Sequence, residues 1–375
     1  MSINDINNIY VLDKILKLYK IRSLDFYLGV DQLCKIDSIR ECNKLIQEIR
    51  NLDKTKSLYV PGELCQEGIN YGHIGALYNY AGKRKRSNIY TPLVEHGVRF
   101  GEDVGDVTDS KYNYCQIAQG VYRKSMIHEY NPHIPVYSVG PYIHYAKSFY
   151  DEKTIEDNKK KNGKTVVVFH SHAEEVRTQR NNIIINEIKE QFKGIYDTII
   201  LCGYWFNLDQ PFIEDCLNQG IKIVSAGVRW DKNFIRRLRT ILEIADAIAV
   251  DDIGTQMGYA MCLGKKVEIL NSLDIDAIVT DDTYNFNKKR IFTMLKNGDN
   301  EGLEAIYNKY WGGNMLRSKE EIGAILDNCH DILKNSNYRL ENYSSEVDKQ
   351  IEYLERNKSE YNDLKLRLLK EALED

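Results

Sequence analysis

Between Asp246 and Leu270 the chain reads "DAIAVDDIGTQMGYAMCLGKKVEIL". Ala247 to Val250 is a short apolar run bounded by aspartates, which reads as a buried strand. Gly254-Thr255 opens a helix-like run that stops at Gly264, and Lys266 to Leu270 reads as a second strand. Strand, helix, strand at this spacing is a βαβ unit, the building block of a parallel sheet.

The alternation extends upstream. "TVVVFHSH" from Thr165 is a continuous β-branched strand, "YDTIILCGYW" and "IKIVSAG" are two more, and "NNIIINEIKEQF", "PFIEDCLNQG" and "NFIRRLRTILEIA" are the helices between them. Strands apolar on both faces must be covered on both faces. The pattern predicts a doubly wound α/β domain over 165–335. Before it, "DEKTIEDNKKKNGK" is charged and poor in large apolar residues, and reads as part of a linker at 148–164. Residues 1–147 form a first domain. It starts with helices over 8–52, then shows a strand in "SLYVPGE", a helix in "NYGHIGALYNYAG" and a strand through Ile89 to Leu93. Residues 336–375 form a helical tail. Its last thirty residues read as one charged helix with the stripe Ile351, Leu354, Tyr361, Leu364 and Leu368, either packed on the body or binding a partner.

Composition narrows the class. Of 375 residues, 43% are hydrophobic and 28% charged, which suits a globular protein. The net charge of −4 implies no general affinity for nucleic acid or anionic lipid. No apolar run approaches the roughly 18 residues of a membrane span, and the N-terminus lacks a signal-peptide pattern. Cys34, Cys42, Cys65, Cys115, Cys202, Cys216, Cys262 and Cys329 are scattered without a C-x-x-C pair, as expected of reduced thiols in a cytoplasmic protein. The basic run "KRKR" (83–86) is either a solvated turn or a contact with lipid headgroups at the inner face of the membrane.

In an open parallel sheet ligands bind beyond the carboxyl ends of the strands. His170 and His172 follow the first strand of the later domain, where they could ligate a metal, meet a phosphate or sugar, or simply pack. Arg229 and Lys232 follow Gly227. Arg229 offers a phosphate-binding fork, or a salt bridge to Asp231 or Glu243. Asp252, Gly254, Thr255 and Gln256 stand at a helix mouth, where free N–H groups suit an anion and where Asp and Thr also serve as plain caps. In the first domain "LVEHGVRFGE" puts Glu95, His96 and Glu102 beside glycines as candidate general bases. Glu67, His73 and Arg99 are candidate substrate contacts on that side.

The pieces "LVEHGVRFGE", "IPVYSVGPYIHYA" and the stretch from Gly227 to Val267 resemble GT-B-type glycosyltransferases of bacterial surface polysaccharide assembly. The resemblance covers roughly residues 57 to 270. It implies two Rossmann-like domains facing across a cleft, with extra N- and C-terminal helices. The later domain would hold a nucleotide-sugar donor through His170, His172, Arg229, Lys232, Asp252, Gly254, Thr255 and Gln256. The earlier one would present a saccharide or lipid-linked acceptor and a base, His96 by preference. It implies no cofactor and no metal, with helix N-termini and basic side chains stabilising the leaving diphosphate. It also implies a last helix that crosses back to the first domain. A sugar-nucleotide epimerase, a polyol-phosphate transferase and a non-enzymatic binding protein remain as alternatives. Donor base, sugar, acceptor, stereochemistry and oligomeric state are not encoded legibly.

Overall fold

A computed structural model of the chain describes residues 70–84, 92–95, 97–102, 104, 114–170, 177–203, 210–227, 231–271, 273–336 and 343–374. The expected helices over 8–52 and the strand at 57–63 lie outside the described residues. The described chain falls into two compact units. One comprises Lys147–Asp252 and Leu263–Asp274; the other comprises the residues up to Ala146, Ile253–Cys262 and the chain from Ile275 on.

The first unit is built on a five-stranded parallel sheet. Its strands are β4 (Thr165–Phe169), β5 (Thr198–Cys202), β6 (Lys222–Val224), β7 (Ala247–Val250) and β8 (Lys266–Ile269), in the spatial order β6-β5-β4-β7-β8. The helices are α3 (Glu152–Asn162), α4 (Arg177–Phe192), α5 (Gln210–Asn218) and α6 (Phe234–Ile244). β4 takes the centre because Val166, Val167 and Val168 are fully buried, each worth about 1.5–3 kcal/mol once out of water. α6 packs the stripe Ile235, Leu238, Ile241 and Leu242 inward at helical spacing. Counted along the chain, the strands lie in the order 3-2-1-4-5. The winding therefore reverses between β4 and β7.

The segment 151–164 is a helix where the sequence suggested a linker. The Asp151 carboxylate accepts the Thr154 N–H at 2.7 Å, and Gly163 ends the helix at φ +63°. α3 buries few side chains, Ile155 among them, so its apolar signal was too thin to read against so many lysines.

The second unit holds a three-stranded parallel sheet, β1 (Leu93–Val94), β2 (Gln116–Ala118) and β3 (Val136–Ser138), in the order β1-β2-β3. Its helices are α1 (His73–Tyr80), α2 (Val121–Tyr130), α7 (Thr255–Cys262), α8 (Thr283–Asn297), α9 (Asn300–Ile306), α10 (Lys319–Asn335), α11 (Tyr343–Arg356) and α12 (Glu360–Leu373). α2 lays Ile127 against Ala118, Ile134 and Val136, a buried cluster on one face of the sheet. α12 packs on β3. There Arg317 donates to the Ser138 carbonyl at 3.2 Å and pairs with Glu371, and Lys124 donates to the Glu371 carbonyl at 2.6 Å. Both units are thus Rossmann-like α/β bodies.

The division is not the linear one that the sequence suggested. α7 lies between β7 and β8 in sequence yet belongs to the other unit, as does everything from Ile275 on. Local periodicity identifies an element; it does not say which body its apolar face will meet. The expected single C-terminal helix is two. Asn357 and Lys358 interrupt it, and the Ser359 hydroxyl caps α12 by accepting the Asn362 N–H at 3.1 Å. Within the stripe Leu354 and Leu368 are buried and Tyr361 is exposed.

Candidate functional site

β4 and β7 run in register with Phe169 opposite Val250. The next residue of each strand therefore leaves the sheet side by side with its neighbour, at the point where the winding reverses. These residues are His170 and Asp251. Imidazole Nδ1 donates to carboxylate Oδ2 at 2.5 Å. The Asp251 side chain is 4% exposed and that of His170 14%. An ionised carboxylate can only accept, so the bond fixes the proton on Nδ1. It also fixes the ring plane and leaves Nε2 as the nitrogen that Asp251 does not engage, the arrangement by which a carboxylate orients an acid–base or ligand-binding histidine. A crevice beyond the carboxyl ends of parallel strands, at a winding reversal, is where open α/β sheets take their ligands.

The adjoining loops of the same unit follow the same edge. After β6, Ser225 is buried and its hydroxyl accepts the Gly227 N–H at 3.2 Å, with Gly227 at φ +103°. Only glycine adopts that backbone cheaply. Beyond it, the Asp231 carboxylate pairs with Arg237 in the interior and accepts the Asn233 N–H at 2.8 Å. The Arg237 guanidinium also lies 4.9 Å over the Phe149 ring. Glu243 pairs with Arg239 at 2.7 Å. Arg237 and Arg239 are therefore committed to structure. Lys232 is exposed in the turn before α6, and Asp252 is half-buried beside the pair. His172 and Arg229 lie outside the described residues.

Gly254, Thr255 and Gln256 belong to the three-stranded unit. The Thr255 hydroxyl accepts the Val98 N–H at 3.0 Å, tying the mouth of α7 to the turn after β1. Gly97 permits this, since a Cβ there would lie 2.7 Å from the same oxygen. Gln256 folds back over Gly254, where a Cβ would strike its amide. In the same unit Glu95 is buried and paired with Arg123, which also donates to the Val104 carbonyl at 2.8 Å. Glu102 is exposed and accepts from the Thr283 hydroxyl at 3.0 Å. His73 is buried, its ring tilted 4.7 Å from that of Tyr142, with Nε2 3.5 Å from the Tyr259 hydroxyl. Arg99 is half-buried. His96 and Glu67 lie outside the described residues.

Among the described residues no three His, Cys, Asp or Glu side chains converge as cation ligands. No helix among them is long and apolar enough to cross a membrane. Sequence reasoning singled out Asp252 where the structure pairs Asp251, because the partner becomes visible only once the register of β4 against β7 is known. Arg123 was missed as well. It sits in the first turn of a helix that gives no motif, and only the burial of Glu95 beside it reveals its role.

No protein-family model matches the sequence. No curated protein matches it either. Among solved structures the chain is similar to an S. aureus MnaA–UDP co-structure, with a TM-score of 0.35 and 12% sequence identity. The match covers 62% of this chain and 61% of that one, less than two thirds of either.

Proposed function

We propose that this protein is a nucleotide-sugar enzyme that transfers a glycosyl group to a saccharide or lipid-linked acceptor. The observation that carries the reading is the His170–Asp251 pair at the winding reversal of the five-stranded sheet. In the proposed reaction the donor diphosphate meets His170 Nε2. Asp251 holds the ring and stabilises the imidazolium as negative charge builds on the departing phosphate. Lys232 and Arg229 supply further positive charge from the loop after β6, and Asp252 takes a donor hydroxyl. The acceptor hydroxyl attacks the anomeric carbon, the bond to the phosphate oxygen breaks, and the hydroxyl proton passes to a base, His96 by preference. The resemblance to GT-B transferases supports this reading, and no metal is assigned a step.

The test is incubation with UDP-, GDP-, CMP- and ADP-sugars, with and without saccharide acceptors. Nucleotide release that depends on an acceptor supports transfer. An altered sugar on an intact nucleotide assigns epimerisation instead, and binding without turnover assigns a receptor. Arg229→Ala is expected to weaken nucleotide binding. His96→Ala is expected to spare binding and lower turnover.

A further inference from the structure

The turn after β1 is pinned at both ends. Upstream, Glu95 donates its N–H to the Ile117 carbonyl at 3.1 Å, and its carboxylate is paired with Arg123 in the interior. Downstream, the Val98 N–H donates to the Thr255 hydroxyl at 3.0 Å. Between Glu95 and Val98 the chain holds His96 and Gly97. Gly97 lets the main chain close on Thr255, since a Cβ there would lie 2.7 Å from the hydroxyl oxygen.

Thr255 stands on a packed helix. It is the first residue of α7, which buries Met257, Tyr259 and Ala260. Gly258 of the same helix lies so close to the Trp311 ring that a Cβ there would overlap it. The Met257 N–H donates to the Gly254 carbonyl at 3.2 Å and closes the mouth of the helix. A capping hydroxyl bonds to its own helix. This one accepts from a segment 157 residues upstream. A backbone N–H withdrawn from water needs such an acceptor, so the contact fixes where the turn lies against α7.

We propose that Thr255 is a positioning residue for the base of the proposed reaction. By holding Val98 it fixes the downstream end of the turn, as the Glu95–Arg123 pair fixes the upstream end. The two together restrict the short span that carries His96. A general base must stand within hydrogen-bond reach of the proton it takes, and a misplacement of about 1 Å costs about a hundredfold in rate. Thr255 itself meets neither donor nor acceptor; it acts through the main chain, as a supporting residue behind the reacting one. This inference rests on the proposed function and names what holds its base in place.

The experiment compares wild type, Thr255→Val and Thr255→Ser at a temperature where all three are folded. Valine keeps the shape and removes the hydroxyl; serine keeps the hydroxyl. Turnover is read as acceptor-dependent nucleotide release, and nucleotide affinity by titration with UDP and GDP. Thr255→Val is expected to lose about tenfold to a hundredfold in kcat, with the acceptor KM and nucleotide affinity unchanged, and Thr255→Ser to regain most of it. An unchanged kcat in Thr255→Val, a loss of nucleotide affinity in it, or no rescue by serine would each overturn the proposal. NMR of isotope-labelled histidine rings, with the His96 signal assigned by its absence in His96→Gln, reads the same tie apart from turnover. That signal is expected to move in Thr255→Val and to return in Thr255→Ser; a signal that stays in place overturns the proposal. If wild type releases no nucleotide to any acceptor, the transfer reading falls, and the histidine spectra still decide whether Thr255 holds His96.

Discussion

The two sheets end differently at their carboxyl edges. In the five-stranded unit the edge carries His170 and Asp251, a pair with one partner accessible. In the three-stranded unit it carries Glu95 and Arg123, whose side chains are 6% and 4% exposed. Both are hydrogen-bonded pairs near strand ends: His170 and Asp251 follow β4 and β7, Glu95 follows β1, and Arg123 lies in the first turn of α2. The accessible pair keeps a nitrogen for a ligand, whereas the sealed pair spends its charge on holding the turn after β1. Type and position of residue alone do not separate a reactive group from a structural one; exposure and partner do.

The comparison breaks first at Arg123. Replacing it with methionine strands the Glu95 charge in the interior, and urea unfolding should report a loss of about 3–5 kcal/mol. The double variant Arg123→Met/Glu95→Gln should recover most of that loss. Recovery would sharpen the view that the pair is structural, and a loss of turnover at full stability would break it. Next in size is Gly258→Ala, which sets a methyl group into the Trp311 ring and should cost about 1–3 kcal/mol in the same measurement.

A smaller effect concerns acid. Burial pushes the Glu321 carboxyl up, but the Ser318 N–H, Arg367 and Arg317 outweigh it and leave its pKa below the ordinary 4.5. Its contribution is therefore present above pH 4.5 and lost as the pH falls through the lowered folded value. Glu321→Gln should remove that contribution at neutral pH, change little in strong acid, and so flatten the stability profile of the three-stranded unit below pH 4.5. The smallest effect is expected at Lys83, half-exposed and 2.6 Å from Asp327, where Lys83→Met should cost under about 1 kcal/mol. Arg84 beside it is exposed, and Lys85 and Arg86 lie outside the described residues.

Much of the five-stranded sheet was legible because its signals are local. β-branched runs such as Thr165 to Phe169 mark strands, and Gly220 and Gly264, both at positive φ, mark helix ends. What the chain does not spell out is partnership. That α7 packs with the other unit depends on Gly258 meeting Trp311, residues 53 apart, and that Asp251 faces His170 depends on a register 81 residues long. His170 could be picked out as a polar residue at a strand end, yet its role follows from the carboxylate beside it.

The central claim is that the diphosphate of a donor nucleotide meets His170. Calorimetric titration of UDP, GDP, CDP and ADP into wild type and His170→Ala tests it most directly. The account predicts that one nucleotide binds wild type and loses about tenfold to a hundredfold in affinity in the variant, measured at a temperature where both are folded, the weight of one or two charge-assisted hydrogen bonds. Equal affinity in the two proteins would contradict it.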